Sequence, residues 1–305
     1  MNIFMTGGTG FLGTALVKAL LGQGHAVTVL SRSAVRGPLP AEVRLVTGNP
    51  VEEGAWQEAV PAHEAVVNLA GASIFNRWST EYKEIMRRSR IATTRNLVAA
   101  MATSRGKTRL LLNASAVGYY GFHGDEELDE AAPPGDDFLA MLCREWEEGA
   151  MEAEGHGVRV VRCRLGIVLG AGGGAFEKML PAFKAGMGSP LGSGRQWFSW
   201  IHRRDLIRIF LFLLANETIS GPVNCTAPRP VTNREMSKAL GEALHRPVIM
   251  PRVPAFALKL ALGELGDIVL KGQRALPRKL LGAGFTFQYP EIRQALADLV
   301  SSHQA

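Results

Sequence analysis

The chain is poor in the features that would make it secreted, metal-bound or membrane-spanning. Its 305 residues hold 3 cysteines, Cys143, Cys163 and Cys225, far apart and odd in number. They assemble neither a disulfide framework nor a metal site, and a reducing cytoplasm is the expected compartment. Apolar runs such as IFLFLLA at 209–215 fall well short of the ~20 residues that cross a bilayer, so no membrane partner is expected. The start, MNIFMTGG, lacks a basic segment and a cleavage site and reads directly as a strand, which is not the pattern of a signal peptide. No internal repeat or low-complexity tract interrupts the chain. Nucleic-acid binding also lacks support. Although 34 Lys and Arg against 28 Asp and Glu give a formal net charge of +6, the densest basic cluster, RRSR at 87–90, has no interleaved aromatics and no recognition motif around it. The positive balance instead suits a solvated helix face or cations that serve a small, phosphorylated ligand.

What is present is a globular composition, 47% hydrophobic and 20% charged, at a length that fits one large domain or one and a half. Through residue 170, β-branched or leucine-rich runs (NIFMTG, AVTVLSR, VRLVTGN, AVVNLAG, RLLLNAS, VRVVRCRLG) alternate with amphipathic stretches such as LGTALVKALLGQG and TTRNLVAAMATS. That alternation predicts an α/β fold of the Rossmann type, a doubly wound parallel sheet with helices on both faces. Beyond it, GAGGGAFEKMLPAFKAGMGSPLGSGRQ reads as glycine-rich and irregular, and WFSWIHRRDLIRIFLFLLAN as a strand followed by a helix. Pro228, Pro230, Pro247, Pro251 and Pro254 mark 228–305 as a smaller C-terminal lobe on the substrate side. The first domain then spans 1–227, with substrate-side insertions from about 171.

TGGTGFLG at 6–13 follows the first strand and opens the first helix. Gly7, Gly10 and Gly13 stand at G-x-x-G-x-x-G spacing, with Thr9, Phe11 and Leu12 between them. The first glycine permits the tight turn, the second lets backbone approach a pyrophosphate, and the third lets helix and strand pack closely. The helix N-terminus then offers amide donors to the phosphates. In its strand–turn–helix context this is a dinucleotide site. An NAD site places Asp or Glu at the end of the second strand. Here Ser31, Arg32 and Ser33 stand there, with no carboxylate before Glu42. An arginine fork and two hydroxyls suit a 2′-phosphate, so NADP is the expected cofactor.

TGGTGFLG, NLAGA at 68–72, SAVGYYG at 115–121 and RLGIVLG at 164–170, in that order, resemble the extended short-chain dehydrogenase/reductase superfamily of sugar-nucleotide epimerases and dehydratases. RWSTEYK, SRIATT, REWEE, the segment 170–202 and AGFTFQYPEI are similar, more narrowly, to an epimerase-family subgroup that carries its own C-terminal domain. The resemblance covers essentially the whole chain. It implies NADP(H) as cofactor, with Asn68, Leu69, Ala70 and Gly71 passing beneath it. It also implies Leu165, Gly166, Ile167 and Val168 beside the nicotinamide, and Arg90 facing the site from its helix.

In that superfamily a Ser or Thr, a Tyr and a Lys carry out the proton transfers, the lysine lowering the pKa of a phenol that otherwise titrates near 10. Here Ala116 stands at the hydroxyl position, and Ser115, one residue earlier, is kept among the cofactor contacts. Placing the helix FLAMLCREWEEGA by Glu147 puts Leu139 at the tyrosine and Cys143 at the lysine, and no Tyr-x-x-x-Lys occurs between 130 and 160. The helical period predicts an inward face of Phe138, Leu139, Leu142 and Trp146. Tyr119 and Tyr120, ending the strand beside the nicotinamide, remain as proton-donor candidates, each against the alternative of packing the strand end. His202 reads as structural, and Asp205 as a cap or structural carboxylate. Arg195, Gln196, Trp197 and Trp200 read as either a pocket wall or a packed hairpin. Two functions stay open. One is an NADP(H)-dependent oxidoreductase or nucleoside-diphosphate-sugar epimerase lacking the triad; the other is a non-catalytic NADP(H)-binding redox sensor or regulatory protein. A small-molecule substrate and a homodimer are the partners admitted.

Overall fold

A computed structural model describes residues 1–35 and 37–304. Seven strands form its central sheet: β1 (Asn2–Thr6), β2 (Ala26–Ser31), β3 (Arg44–Thr47), β4 (Ala65–Asn68), β5 (Leu110–Ala116), β6 (Arg159–Leu165) and β7 (Gly221–Cys225). They pair in the order β7-β6-β5-β4-β1-β2-β3, and every pairing is parallel. Strands buried on both faces need near-continuous apolar runs, which is what IFM in β1, AVV in β4 and LLL in β5 supply. The chain leaves β1 toward β3 on one side and returns through β4 toward β7 on the other. The sheet therefore reverses direction of travel between β1 and β4, the switch point at which a ligand crevice opens beyond the strand ends.

Ten α-helices are found among the described residues: α1 (Phe11–Gly22), α2 (Thr80–Ala102), α3 (Phe138–Met151), α4 (Gly174–Lys184), α5 (Arg203–Ala215), α6 (Asn233–Ala243), α7 (Ala255–Leu262), α8 (Leu265–Leu270), α9 (Arg278–Gly282) and α10 (Ile292–Gln304). Alternation along the strands divides the core in two. Ile3 and Met5 face Leu16 and Leu20 of α1 and Leu206 and Phe210 of α5. Phe4, Val66 and Leu111 face Leu97 and Met101 of α2. Among the described residues no helix is long and apolar enough to cross a membrane.

The segment after residue 170 is more regular than its glycines suggest. Phe176, Leu180 and Phe183 fall on one face of α4 and are buried, a period-3.6 stripe that a glycine-rich flank and the internal Pro181 obscure. Much of the C-terminal region packs onto the core of the first domain. Met236, Leu240, Ile292 and Leu296 belong to the same apolar cluster as Ile3 and Met5. Val231–Thr232 pairs antiparallel with Trp197–Phe198, and Arg274–Ala275 pairs parallel with Glu127–Leu128.

Two polar residues of the 197–205 segment fasten this region. His202 caps α5, its Nδ1 accepting from the Arg204 amide at 3.1 Å, while its ring stacks on Tyr289 at 4.0 Å. Burial holds its pKa down at about 4, against the opposing pull of Asp298. Asp205 accepts from the amides of Gln288 at 2.8 Å and Tyr289 at 2.7 Å, and from Arg208 at 2.9 Å. Asp205 is thus a structural carboxylate, and the cap is His202.

Candidate functional site

The loop after β1 is shaped by three close approaches. Gly7 has φ +69°, and a Cβ on it would lie 2.7 Å from the Leu69 carbonyl carbon and 2.9 Å from the Ala70 nitrogen. The loop after β1 thus lies directly against the loop after β4. The Gly10 amide donates to the Gly7 oxygen at 3.0 Å. A Cβ on Gly13 would stand 2.1 Å from that same oxygen, so glycine is what lets α1 start this close to the turn. No side chain caps α1, and no acidic residue sits in its first turn. The amides of Phe11, Leu12 and Gly13 therefore have no acceptor among the described residues, which is the donor set an anionic group recruits at a helix start. Thr9 is exposed in the loop. Phe11 has a packing role: Cβ atoms on Gly170, Gly173 or Gly174 would come within 2.6–3.0 Å of its ring, and the Arg203 guanidinium lies 5.0 Å from the ring centre. Leu12 packs against the core beneath.

At the end of β2 the Ser31 hydroxyl accepts from the Ser33 amide at 3.2 Å, and the Ser33 hydroxyl accepts from Val35 at 3.1 Å. Arg32 is exposed and has no ion pair among the described residues. Across the switch point, Asn68 is fully buried, and its side chain is committed to the core. It accepts from Thr6 at 2.6 Å and donates to Thr94 at 2.9 Å and Asn113 at 2.7 Å. The backbone of Leu69, Ala70 and Gly71 is what reaches the crevice. The Arg90 guanidinium lies against Gly71, 3.1 Å from where a Cβ would be. It donates to the carbonyls of Ala72 at 3.0 Å and Met86 at 3.1 Å and faces the Trp146 ring at 5.2 Å. It has no carboxylate partner among the described residues, and burial lowers its pKa. Ile167 is half-buried beyond β6, its amide donating to Ser199 at 2.8 Å.

Two expectations are corrected by the polar network beneath this crevice. Ser115 is buried, and its hydroxyl donates to Glu147 at 2.7 Å, so it is not available to a cofactor. Tyr120 is fully buried. Its hydroxyl donates to Asn224 at 2.7 Å and accepts from Arg164 at 3.0 Å, and burial pushes its pKa up to about 12 against the pull of Arg164. A phenol locked in this way is no proton donor at neutral pH. Glu147 and Arg164 form the centre of the network, with Nε at 2.8 Å and Nη2 at 2.9 Å from the two carboxylate oxygens. Arg164 also lies 3.5 Å from the centre of the Tyr119 ring. Tyr119 is half-buried and is the one of the two tyrosines at the border of the site.

The network was legible in one respect. Arg162 and Arg164, alternate residues of VRVVRCRLG inside a strand, call for a buried acid, and Glu147 supplies it to both. Reading Glu147 only as a marker for helix placement misses that role.

Helix α3 is capped by Asp137, whose carboxylate accepts from Leu139 at 2.8 Å and Ala140 at 3.1 Å. Leu142 and Trp146 are buried as their period predicts, and so is Cys143. Burial, and then Glu147, push the Cys143 thiol up to about 12. Leu139 lies over Gly118, 3.4 Å from where a Cβ would be, in an apolar cluster with Trp78, Met86 and Phe138 that Leu265 and Ile268 of α8 close. The position expected for a catalytic tyrosine is thus inside a hydrophobic contact with the C-terminal region.

Beside this cluster lies a cleft of about 450 Å³ with Phe122, His123, Asp125, Arg195, Trp197 and Lys271 in its wall. Trp197 donates to Asp125 at 2.9 Å, and Lys271 sits 4.6 Å from the Phe122 ring centre. Gln196 also lines it and bonds the carbonyls of Leu191 and Val269, both at 3.0 Å. Trp200 is instead buried in the core, so the polar–aromatic group divides between wall and hairpin packing. His123, which sequence reasoning missed, places one ring nitrogen 2.9 Å from the Tyr120 carbonyl and the other 3.0 Å from Glu126.

The sequence profile of the NAD dependent epimerase/dehydratase family matches residues 3–225, and that of a domain of unknown function, DUF1731, matches 253–299. The chain is 44% identical to the "Epimerase family protein SDR39U1 homolog, chloroplastic" of Arabidopsis thaliana, over 97% of this chain and 86% of the relative. It is 39% identical to the epimerase family protein YfhF of Bacillus subtilis, over 100% and 99%. The solved structure of human epimerase family protein SDR39U1 with NADPH is similar at a TM-score of 0.88 and 33% identity, covering 99% of both chains. With the sheet order, the glycine loop and these matches in agreement, the chain belongs to the NAD dependent epimerase/dehydratase family and carries that family's Rossmann-like fold together with a DUF1731 region.

Proposed function

We propose that the protein binds NADP(H) across the β1–β4 switch point and works as an oxidoreductase of the short-chain dehydrogenase/reductase type on a small, anionic substrate. The observation that carries the cofactor reading is the packing of the glycine loop. A Cβ on Gly13 would stand only 2.1 Å from the Gly7 oxygen, so glycine lets α1 begin against the turn with its uncapped amides open to phosphate oxygens. Arg32, Ser31 and Ser33 would hold the 2′-phosphate, and Arg90 would face the cofactor from α2. The human relative solved with NADPH agrees with this choice. When bound, NADPH supplies the hydride. Arg195 and Lys271 in the cleft wall attract an anionic substrate. The three buried cysteines stay thiols in a reducing cytoplasm.

Without a tyrosine and lysine on α3, positioning does the catalytic work. Holding donor and acceptor together is worth about 7–11 kcal/mol, and loss of a general acid costs roughly 10²–10⁴-fold. Turnover is therefore slow and does not include the base-dependent epimerisation of nucleotide sugars. The second reading, a non-catalytic NADP(H)-binding regulatory protein, draws on Leu139 standing where a catalytic tyrosine is expected, in an apolar cluster shared with α8. A stopped assay with UDP- and dTDP-sugars tests the first. The purified protein is expected to bind NADPH and leave these sugars unchanged, and robust epimerisation would contradict the reading. Failure of every carbonyl compound tried to oxidise bound NADPH would favour the regulatory alternative.

A further inference from the structure

Helix α7 has the composition of a core helix and the exposure of a surface one. Its sequence, AFALKLAL, is apolar apart from Lys259, yet none of its residues with described side chains is buried. Phe256 is 74% exposed, and Leu260, one turn later, 82%. The loop leading into the helix adds Ile249 at 80% and Met250 at 46%. A helix apolar on all sides normally lies inside a protein, and large apolar groups gathered on a surface mark a site of contact.

The adjoining cleft is cationic. It encloses about 840 Å³, and Arg234, Lys238, Arg246 and Arg252 stand in its wall beside Met250. The carboxylate in that wall, Glu242, is engaged by Arg293 at 3.1 Å and Lys238 at 4.0 Å. Arg234 and Arg246 have no carboxylate partner among the described residues, and Arg252 donates to the Ser193 carbonyl at 3.1 Å. The wall is firmly built. The loop returns onto α6 at Gly241, where a Cβ would lie 2.4 Å from Val248, and is tied to the body by Val253 donating to Pro190 at 3.1 Å.

We propose that this face docks on an anionic bilayer surface, with Phe256, Leu260 and Ile249 entering the acyl boundary and the four cations meeting lipid phosphates. Apolar groups beside arginine and lysine are the combination that the headgroup boundary of an anionic membrane rewards. A second copy is disfavoured, because a two-fold contact through this face would set like charges against each other. The formal net charge of +6 adds long-range attraction. The expectation of no membrane partner rested on the lack of a spanning run, and surface docking needs none.

The test is co-sedimentation of the full chain, with NADPH bound, on phosphatidylcholine vesicles with and without phosphatidylglycerol. Binding is expected only to the anionic vesicles. The double variants Phe256→Ser/Leu260→Ser and Arg234→Glu/Arg246→Glu should each lower the bound fraction roughly tenfold or more while keeping NADPH binding. The proposal is overturned by lack of binding to anionic vesicles, or by binding undiminished in either variant. Release by inorganic phosphate at constant ionic strength would assign the cleft to free phosphate instead. Self-association of the chain abolished by Phe256→Ser/Leu260→Ser would assign the face to a second copy.

Discussion

Cys143 occupies a position where the superfamily carries lysine, yet its chemistry there is that of a small apolar residue. Its thiol, raised to about 12 by burial and by Glu147, neither donates nor accepts a proton at neutral pH. Cys143→Ala should leave NADPH affinity and any turnover within a few-fold, as read by calorimetry and steady-state rates; abolished turnover would show that the thiol does chemistry. Glu147 behaves oppositely. It neutralises Arg164 in the core, so Glu147→Gln leaves a buried guanidinium without its counter-charge. Urea unfolding should register a loss of roughly 3–5 kcal/mol. His202 titrates into instability. Its pKa falls from 6.5 to about 4 on folding, so the unfolded chain binds the proton more tightly. The stabilisation is complete above pH 6.5 and disappears as pH falls through about 4, a change of roughly 3 kcal/mol. His202→Asn keeps an acceptor for the α5 cap and removes the proton site. The variant's stability difference between pH 7 and pH 5 should shrink relative to the parent, and an unchanged difference would place the titration elsewhere.

Among the elements, the turn from β1 into α1 carries a tight geometric demand, with a Gly13 Cβ only 2.1 Å from the Gly7 oxygen. Gly13→Ala must displace the Gly7 carbonyl or the start of α1, and overpacking of this kind costs about 1–3 kcal/mol. Its melting temperature should fall and NADPH binding should be lost, whereas a variant that binds NADPH normally would mean the loop does not cradle the phosphates. This turn was readable in advance because its requirement is local: three glycines at fixed spacing after an apolar strand. The strands were readable for the same reason. Helix α3 was readable only in part. Leu142 and Trp146 follow the apolar period, but Glu147 and Cys143 are inward for reasons that lie elsewhere in the chain, in Arg164 and in the β5 end. The apolar cluster that α8 shares with α3 is more remote still, since neither LGDIVL nor FLAMLC specifies the other. Tyr120 shows the same limit: strand-end tyrosines look alike in sequence, and only the place of Arg164 and Asn224 makes this one a core residue.

Taken as a whole molecule, the fold joins α6 and α10 to the Rossmann core through one continuous apolar cluster, while α8 packs in a separate one with Trp78, Met86 and Leu142. The positive balance of the chain is spread over this assembly, with Arg32 at one end of the crevice and Arg195 and Lys271 in the cleft. The central claim, that the switch point holds NADP(H), depends most on Arg32, since that residue distinguishes a 2′-phosphate from a ribose hydroxyl. The direct measurement is calorimetric titration of the parent and of Arg32→Ala with NADPH and with NADH. A charged hydrogen-bond pair is worth about 1.5–3 kcal/mol. The parent should therefore prefer NADPH by roughly ten- to a hundredfold, and Arg32→Ala should lose that preference with NADH affinity unchanged. Equal affinity of the parent for the two cofactors, or full NADPH preference in Arg32→Ala, would contradict the account.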